Sequence, residues 1–179
     1  MAAARKMILW TGPTHSGKTT AARGLIEHLR MEGFTVAGLL APAVYEGGIL
    51  AGFDALDIST GRRCALLRRR QGGAGEAGPF AFNNDGLPAG RAALTCEAAK
   101  RADLVVVDEF GPLELGGGGW RGAVDSLAGS AAGMILLVVR DRIAEQARQT
   151  YAALDPVLIG AAEPDAMEAV VEILRKASR

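Results

Sequence analysis

The segment Gly12-Pro13-Thr14-His15-Ser16-Gly17-Lys18-Thr19 satisfies the pattern G-x-x-x-x-G-K-[ST] at every fixed position. That pattern describes a loop whose backbone N–H groups wrap a phosphate. Glycine at 12 and 17 lets the backbone turn tightly and come close to the anion. A helix starting near Lys18 adds its unpaired N–H groups and the positive end of its dipole. Lys18 is then a mobile cation for the β- and γ-phosphates and a catalytic candidate, while the Thr19 hydroxyl is a ligand for Mg²⁺. The expected nucleotide-binding set is Gly12, Pro13, Thr14, His15, Ser16, Gly17, Lys18, Thr19 and Thr20. His15 sits at a variable position of the motif and reads as a solvent-facing side chain rather than a catalyst.

A second group of candidates follows the apolar run Leu104–Val107, where Asp108 and Glu109 stand side by side. At the carboxyl end of a buried parallel strand, such side chains emerge in the crevice where ligands of these sheets bind. Asp108 fits a magnesium determinant. Glu109 fits the base that orients and deprotonates a water attacking the γ-phosphate. Arg140 and Arg142 follow another apolar run, Met134–Val139, so the same geometry places one of them, with Arg140 preferred, at the edge of the nucleotide. An arginine there can stabilise charge developing on the γ-phosphate; a surface position for both is the competing reading. Arg68-Arg69-Arg70 reads as a solvated run in a mobile loop over Arg68–Gly78, with a phosphate-covering lid or a nucleic-acid patch as alternatives. Trp120, Phe80 and Phe82 have the chemistry to stack on a base, but core packing is the simpler reading for each.

The elements that must position these groups alternate along the chain. Met7–Thr11, Val36–Leu40, Leu104–Val107, Met134–Val139 and Val157–Ile159 are short apolar runs of the kind that form buried parallel strands. Between them, Lys18–Arg30 carries Ala22, Leu25, Ile26 and Leu29 at amphipathic spacing, and helices are also expected over Gly90–Arg101, Trp120–Leu127, Arg142–Tyr151 and Asp165–Lys176. Val44–Tyr45 and Ile49–Ile58 flank Gly47-Gly48, a two-residue hairpin turn, and Leu66–Leu67 ends a further strand. The pattern predicts a single three-layer α/β/α domain over 1–179, its sheet mostly parallel with an added antiparallel hairpin.

Composition sets the outer bounds. The 179 residues suffice for one sizeable core, and 49% hydrophobic against 22% charged residues describes a soluble globular protein. Twenty acids balance 20 bases, so net charge offers no reason to expect nucleic acid or an anionic membrane as partner. No apolar run approaches bilayer length, and Gly12 and Pro13 interrupt the run after Met1–Lys6, so no targeting segment is expected. Cys64 and Cys96 form neither a disulfide framework nor a zinc site, which fits a reduced, cytoplasmic setting. The richness in Ala, Gly and Arg reads as compositional drift, so glycine-rich stretches carry little expected structural meaning.

The motifs together resemble a known family, the small nucleoside-triphosphatases of the thermophile and human cancer-related type. Members carry a phosphate loop near the N-terminus, as Gly12–Thr19 is here, and a Gly-Phe-Asp segment after a turn, matched by Gly52-Phe53-Asp54. Their acidic motif, Asp-Glu-Ile-Gly-x-Met-Glu-Leu, is matched by Asp108-Glu109-Phe110-Gly111-Pro112-Leu113-Glu114-Leu115, with Phe110 in place of the aliphatic residue. The resemblance implies a RecA-like domain that hydrolyses ATP, GTP and other nucleoside triphosphates to diphosphate and phosphate. It implies nucleotide contacts at Gly12–Thr19, and magnesium and water handling at Asp108 and Glu109. Two further readings share the scaffold. One is a small-molecule phosphotransferase, with Arg68–Arg70 closing over both substrates. The other is a nucleotide-dependent regulatory or cofactor-assembly protein whose slow hydrolysis times the binding of a protein partner. An Asn-Lys-x-Asp guanine-reading motif is absent from the sequence, which argues against strict GTP specificity and for use of CTP and UTP as well.

Overall fold

Aliphatic runs with no polar interruption are covered on both sides, and they set the centre of this sheet. The computed structural model describes residues 7–70, 79–130 and 133–177. Its elements run β1 (Met7–Gly12), α1 (Lys18–Met31), β2 (Val36–Leu40), β3 (Ala43–Glu46), β4 (Ile49–Asp57), β5 (Arg63–Arg69), β6 (Phe80–Phe82), α2 (Gly86–Thr95), α3 (Glu97–Arg101), β7 (Leu104–Val107), α4 (Pro112–Leu115), α5 (Arg121–Ala128), β8 (Met134–Arg140), α6 (Asp141–Thr150), β9 (Val157–Gly160) and α7 (Ala166–Ala177).

One sheet contains all of these strands, in the order β6-β5-β4-β2-β7-β8-β1-β9, with β3 paired to β4. The five strands from β2 to β9 are parallel. Successive residues of each central strand point to opposite faces. Leu9, Leu39, Val105 and Leu137 join one core with Trp120, Val124 and Ala144. Ile8, Trp10, Val106 and Leu136 join the other with Leu25, Leu29, Val170 and Leu174. Helices α2, α5 and α6 therefore cover one face and α1 and α7 the other, which is why the central strands tolerate no polar residue.

The remaining strands form a larger antiparallel wing than the expected hairpin. Gly47 and Gly48 do make the turn, with φ of +56° and +79°, the pair of positive values a type I′ turn needs. The wing then continues through β5 into β6, joined to the parallel part where β4 pairs with β2 at Leu40–Leu56. At three residues β6 is too short to show an alternation, so nothing in its sequence announced it. Arg68 and Arg69 lie in β5, not in a loop, and Arg70 follows it; 71–78, the rest of the expected loop, fall outside the described residues. The helix expected over Gly90–Arg101 is two helices, because Cys96 takes an extended conformation (ψ 164°) and Glu97 opens a new first turn with a favourable acid. Among the described residues no helix is long and apolar enough to cross a membrane.

Strand β8 lies between β7 and β1, so its inward residues touch neighbours on every side. Replacing Leu136, which is wholly buried, with Ala should cost about 2–5 kcal/mol through lost burial and the cavity left behind. The shift in urea midpoint between parent and variant measures it.

Candidate active site

The phosphate loop leaves the sheet at Gly12 and turns back on itself before α1. His15 and Gly17 take left-handed backbone conformations, with φ of +59° and +80°, and Gly17 is the residue from which α1 departs. The loop residues 13–17 are exposed, His15 included, while Lys18 and Thr19 are half-buried. The first turn of α1 holds no acid, so its dipole end is free to meet a ligand anion. The Lys18 ammonium donates to the Pro13 carbonyl at 2.5 Å and so reaches across the loop, with two donors left. Partial burial pushes its pKa down, an effect opposed by the negative charge of Glu109.

Asp108 comes one residue after β7 and has no exposed surface. Its Oδ2 accepts the Ala41 N–H at 3.0 Å and its Oδ1 accepts the Glu109 N–H at 2.9 Å. The Thr19 hydroxyl stands beside the same carboxylate and favours its charged form, bringing the start of α1 to a strand two places from β1 in the sheet. Desolvation, reinforced by the neighbouring Glu109, raises the Asp108 pKa to about 6 in spite of these donors.

Glu109 has a left-handed backbone (φ +56°), a rare conformation for glutamate and one that clusters at functional sites. Its carboxylate lies 3.6 Å from the Arg140 guanidinium. Strand register accounts for the meeting: Arg140 is level with Gly12 across β1 and β8, and the chain after Glu109 is tied to β8 by the Phe110 N–H on the Val138 carbonyl at 3.2 Å. Residues 14–20 of the loop therefore share a cleft of about 360 Å³ with Glu109 and Arg140. Arg142 is exposed on α6 and does not line it. Arg23, Tyr45 and Phe53 also line the cleft and were not among the expected contacts. Only Phe53 had a signal, in the Gly-Phe-Asp segment. Phe110 is buried edge-on to Tyr151, with ring centroids 5.9 Å apart, so the larger ring has its own partner in the core.

The other basic and aromatic candidates separate. Arg68 is a structural cation that binds Asp54 at 2.6 Å and the Phe53 carbonyl at 2.8 Å. Arg69 donates to the Leu50 carbonyl and lies over the Phe80 ring, 5.7 Å from its centre. The expectation of a loop therefore fails for both, because strand pairing gives each a fixed partner, while Arg69 remains exposed as expected of a solvated run. Trp120 is core, as expected, whereas Phe82 is 41% exposed.

Glu114 is a buried carboxylate not singled out for a primary role. Its oxygens accept the Gly111 N–H at 2.9 Å and the Trp120 N–H at 3.4 Å. At Gly119 a Cβ would stand 2.0 Å from the Glu114 Oε1, and φ there is +53°. At that position glycine is a structural requirement, which corrects the reading of the glycine-rich stretch as composition alone.

A glycine-rich loop between a parallel strand and a helix, with its threonine set beside a buried acid two strands away, defines a P-loop domain of the NTPase fold class. The family model described as NTPase matches residues 7–159, and the chain belongs to that family. It is 40% identical over 111 residues to a nucleoside-triphosphatase THEP1 of Methanopyrus kandleri, a match covering 60% of this chain and 59% of that protein. A nucleoside-triphosphatase THEP1 of Methanothermobacter thermautotrophicus is 34% identical over 137 residues, 74% of this chain and 76% of the relative. The fold is similar to the solution structure of a human cancer-related nucleoside triphosphatase, with a TM-score of 0.72 and 22% identity over 97% of both chains. It is also similar to THEP1 from Aquifex aeolicus, with a TM-score of 0.66 and 19% identity over 95% of this chain and 98% of that one.

The raised pKa of Asp108 makes stability depend on pH. Between the unfolded value, 3.8, and the folded value, about 6, the folded state holds a proton that the unfolded state has lost. Stability from this group is thus present at low pH and is lost as pH rises through about 6; the difference amounts to about 3 kcal/mol. Thermal unfolding in EDTA without nucleotide should show this decline between pH 4 and 6.5, and it should flatten in Asp108→Asn.

Proposed function

We propose that the chain is a Mg²⁺-dependent nucleoside triphosphatase that cleaves the β–γ phosphoanhydride of ATP, GTP and the pyrimidine triphosphates. The observation that supports this best is the position of Glu109. Its carboxylate lines the same cleft as the phosphate loop, and Glu109 directly follows Asp108, the buried acid beside Thr19.

The donor set fits magnesium. Among the described residues no group of three His, Cys, Asp or Glu could hold a metal ion. Mg²⁺ does not need one, since it usually takes one or two protein ligands and completes its shell with waters and substrate phosphates. Thr19 and Asp108 would be those ligands, and the bound ion would neutralise charge on the phosphate oxygens. A cation there would also offset the cost of burying Asp108 as a carboxylate.

The other roles follow from charge and reach. Backbone N–H groups of residues 14–19 hold the phosphates, and the Lys18 ammonium exchanges its bond to the Pro13 carbonyl for phosphate oxygens. Glu109 accepts a proton from the attacking water as the new P–O bond forms and the diphosphate leaves. Arg140 holds the Glu109 carboxylate in place and lies close enough to the cleft to counter charge on the γ-phosphate. Two free thiols, Cys64 and Cys96, support a reducing, cytoplasmic setting.

Lys18→Ala should abolish phosphate release with the circular dichroism of the folded chain unchanged. Glu109→Gln should keep nucleotide binding and lose turnover about 10²–10⁴-fold, whereas Asp108→Asn should weaken Mg²⁺-dependent binding itself. Titration of a fluorescent triphosphate with and without Mg²⁺, beside turnover, separates the two; wild-type turnover in Glu109→Gln would remove it as the base. For the base moiety, rates with ATP, GTP, CTP and UTP should agree within about tenfold, or about 1.4 kcal/mol. A preference of thousands for one of them would contradict the broad assignment.

A further inference from the structure

A second cavity of about 530 Å³ adjoins the phosphate cleft. The two share Thr14, His15, Ala41, Phe53, Glu109 and Arg140, so they meet at the carboxylate and guanidinium assigned above to the γ-phosphate. Elsewhere they diverge. The first is lined by Thr19, Thr20 and Arg23, the start of α1, where the α-phosphate end of a nucleotide leaves such a loop. The second is lined by none of these three and runs instead between β5, β6 and α4. A nucleotide bound through its phosphates would point its base into the first and its γ-phosphate toward the second.

The walls of the second cavity are mainly apolar and aromatic, with Leu67, Phe80, Phe82, Leu113 and Trp120 among them. Its volume lies in the range of small-molecule sites, roughly 300–1,000 Å³. Phe80 stands edge-on to Phe53, with centroids 5.6 Å apart, a geometry that extends naturally to a further ring. Phe82 and Leu113 are 41% and 45% exposed, large apolar surfaces left open beside the site. The two charged side chains that line only this cavity, the buried Glu114 and the exposed Arg69, already have protein partners. Glu114 is held by the Gly111 and Trp120 N–H groups, and Arg69 donates to the Leu50 carbonyl. The body of a ligand here is therefore an uncharged ring.

We infer that this cavity binds a ring-bearing alcohol whose hydroxyl faces the γ-phosphate, and that the protein transfers a phosphoryl group to it as well as to water. The inference rests on the nucleotide and Glu109 assignments of the preceding subsection. In the transfer step the acceptor oxygen forms a bond to the γ-phosphorus, and the bond from that phosphorus to the β–γ bridging oxygen breaks. The electron pair leaves on the diphosphate, and the hydroxyl proton passes to the Glu109 carboxylate. No oxidant, reductant or third substrate is required. An alcohol seated there would also displace the water that Glu109 otherwise activates.

The test incubates the protein with ATP and Mg²⁺, alone and with adenosine, uridine, pyridoxine or indole-3-ethanol, and follows products by ³¹P NMR. A phosphate ester beside inorganic phosphate with at least one of these alcohols is the expected result. Leu113→Trp, which fills the cavity, should reduce ester formation about tenfold or more. Acceptor-free phosphate release by this variant should stay within about twofold of the parent. Phe82→Ala should also reduce ester formation and serves as the second variant if the larger side chain prevents folding. Inorganic phosphate as the sole product with all four alcohols would overturn the inference and leave the hydrolase reading standing. Neither phosphate nor ester in any tube would overturn both. A raised KM for ATP in Leu113→Trp would assign the cavity to the nucleobase, and that too would overturn the inference.

Discussion

A carboxylate with no exposed surface is costly to keep, and the arrangement around the site is organised by the one at Asp108. Two backbone donors hold it, the Ala41 N–H just beyond β2 and the Glu109 N–H beyond β7, and the Thr19 hydroxyl of α1 stands beside it and favours its charge. Satisfying Asp108 therefore ties the end of β2 to β7 and sets the direction in which the chain leaves β7. The bonds do not fully offset burial, since the pKa stays raised. A buried group left electrostatically incomplete beside a cleft is a recurrent sign of a binding function, and a bound cation would complete it.

The second buried carboxylate continues the same ordering. Glu114 gathers the N–H groups of Gly111 and Trp120, closing the segment after Glu109 into a short fixed loop. Burial raises its pKa as well, against the pull of those donors. The loop is feasible only because Gly119 leaves room for the carboxylate and tolerates a positive φ. Trp120, held at the end of this loop, packs into the core and forms part of the second cavity wall. The acidic motif thus does two jobs: its first half supplies charge to the cleft and its second half holds the wall beside it.

What the sequence disclosed and what it withheld divide along physical lines. The phosphate loop, the acid pair and the five parallel strands were legible because each is written in contiguous residues with few acceptable substitutes. Leu104–Val107 had to be a doubly covered strand, and the residues after it had to emerge at the sheet's carboxyl edge. Arg140 was half legible: its place after a buried strand was clear, but its pairing with Glu109 depends on β8 being inserted between β1 and β7, and register across strands is not a local property. Arg68 and Arg69 were misread because three adjacent arginines beside glycines look solvated, while their partners, Asp54 and Phe80, are supplied by other strands. Tyr45 and Arg23 reach the cleft through folding alone and carry no motif.

The insertion of β8 also explains why the antiparallel wing matters to the chemistry. With β8 between them, the loop strand and the acid strand are separated, and Glu109 and Arg140 lie side by side across the gap. In that gap the γ-phosphate would meet whatever attacks it. On the far side β2 is followed by β4 and β5, and the aromatic side chains of β4 and β6 roof the space beyond Glu109 instead of leaving it to bulk water. Hydrolysis alone would need only one water at that point, and the chamber is far larger than one water. The wing is thus best understood as the part of the fold that selects what reaches Glu109. On the proposed reading, water would reach Glu109 when the chamber is empty, and a ring-bearing alcohol would take its place when the chamber is filled.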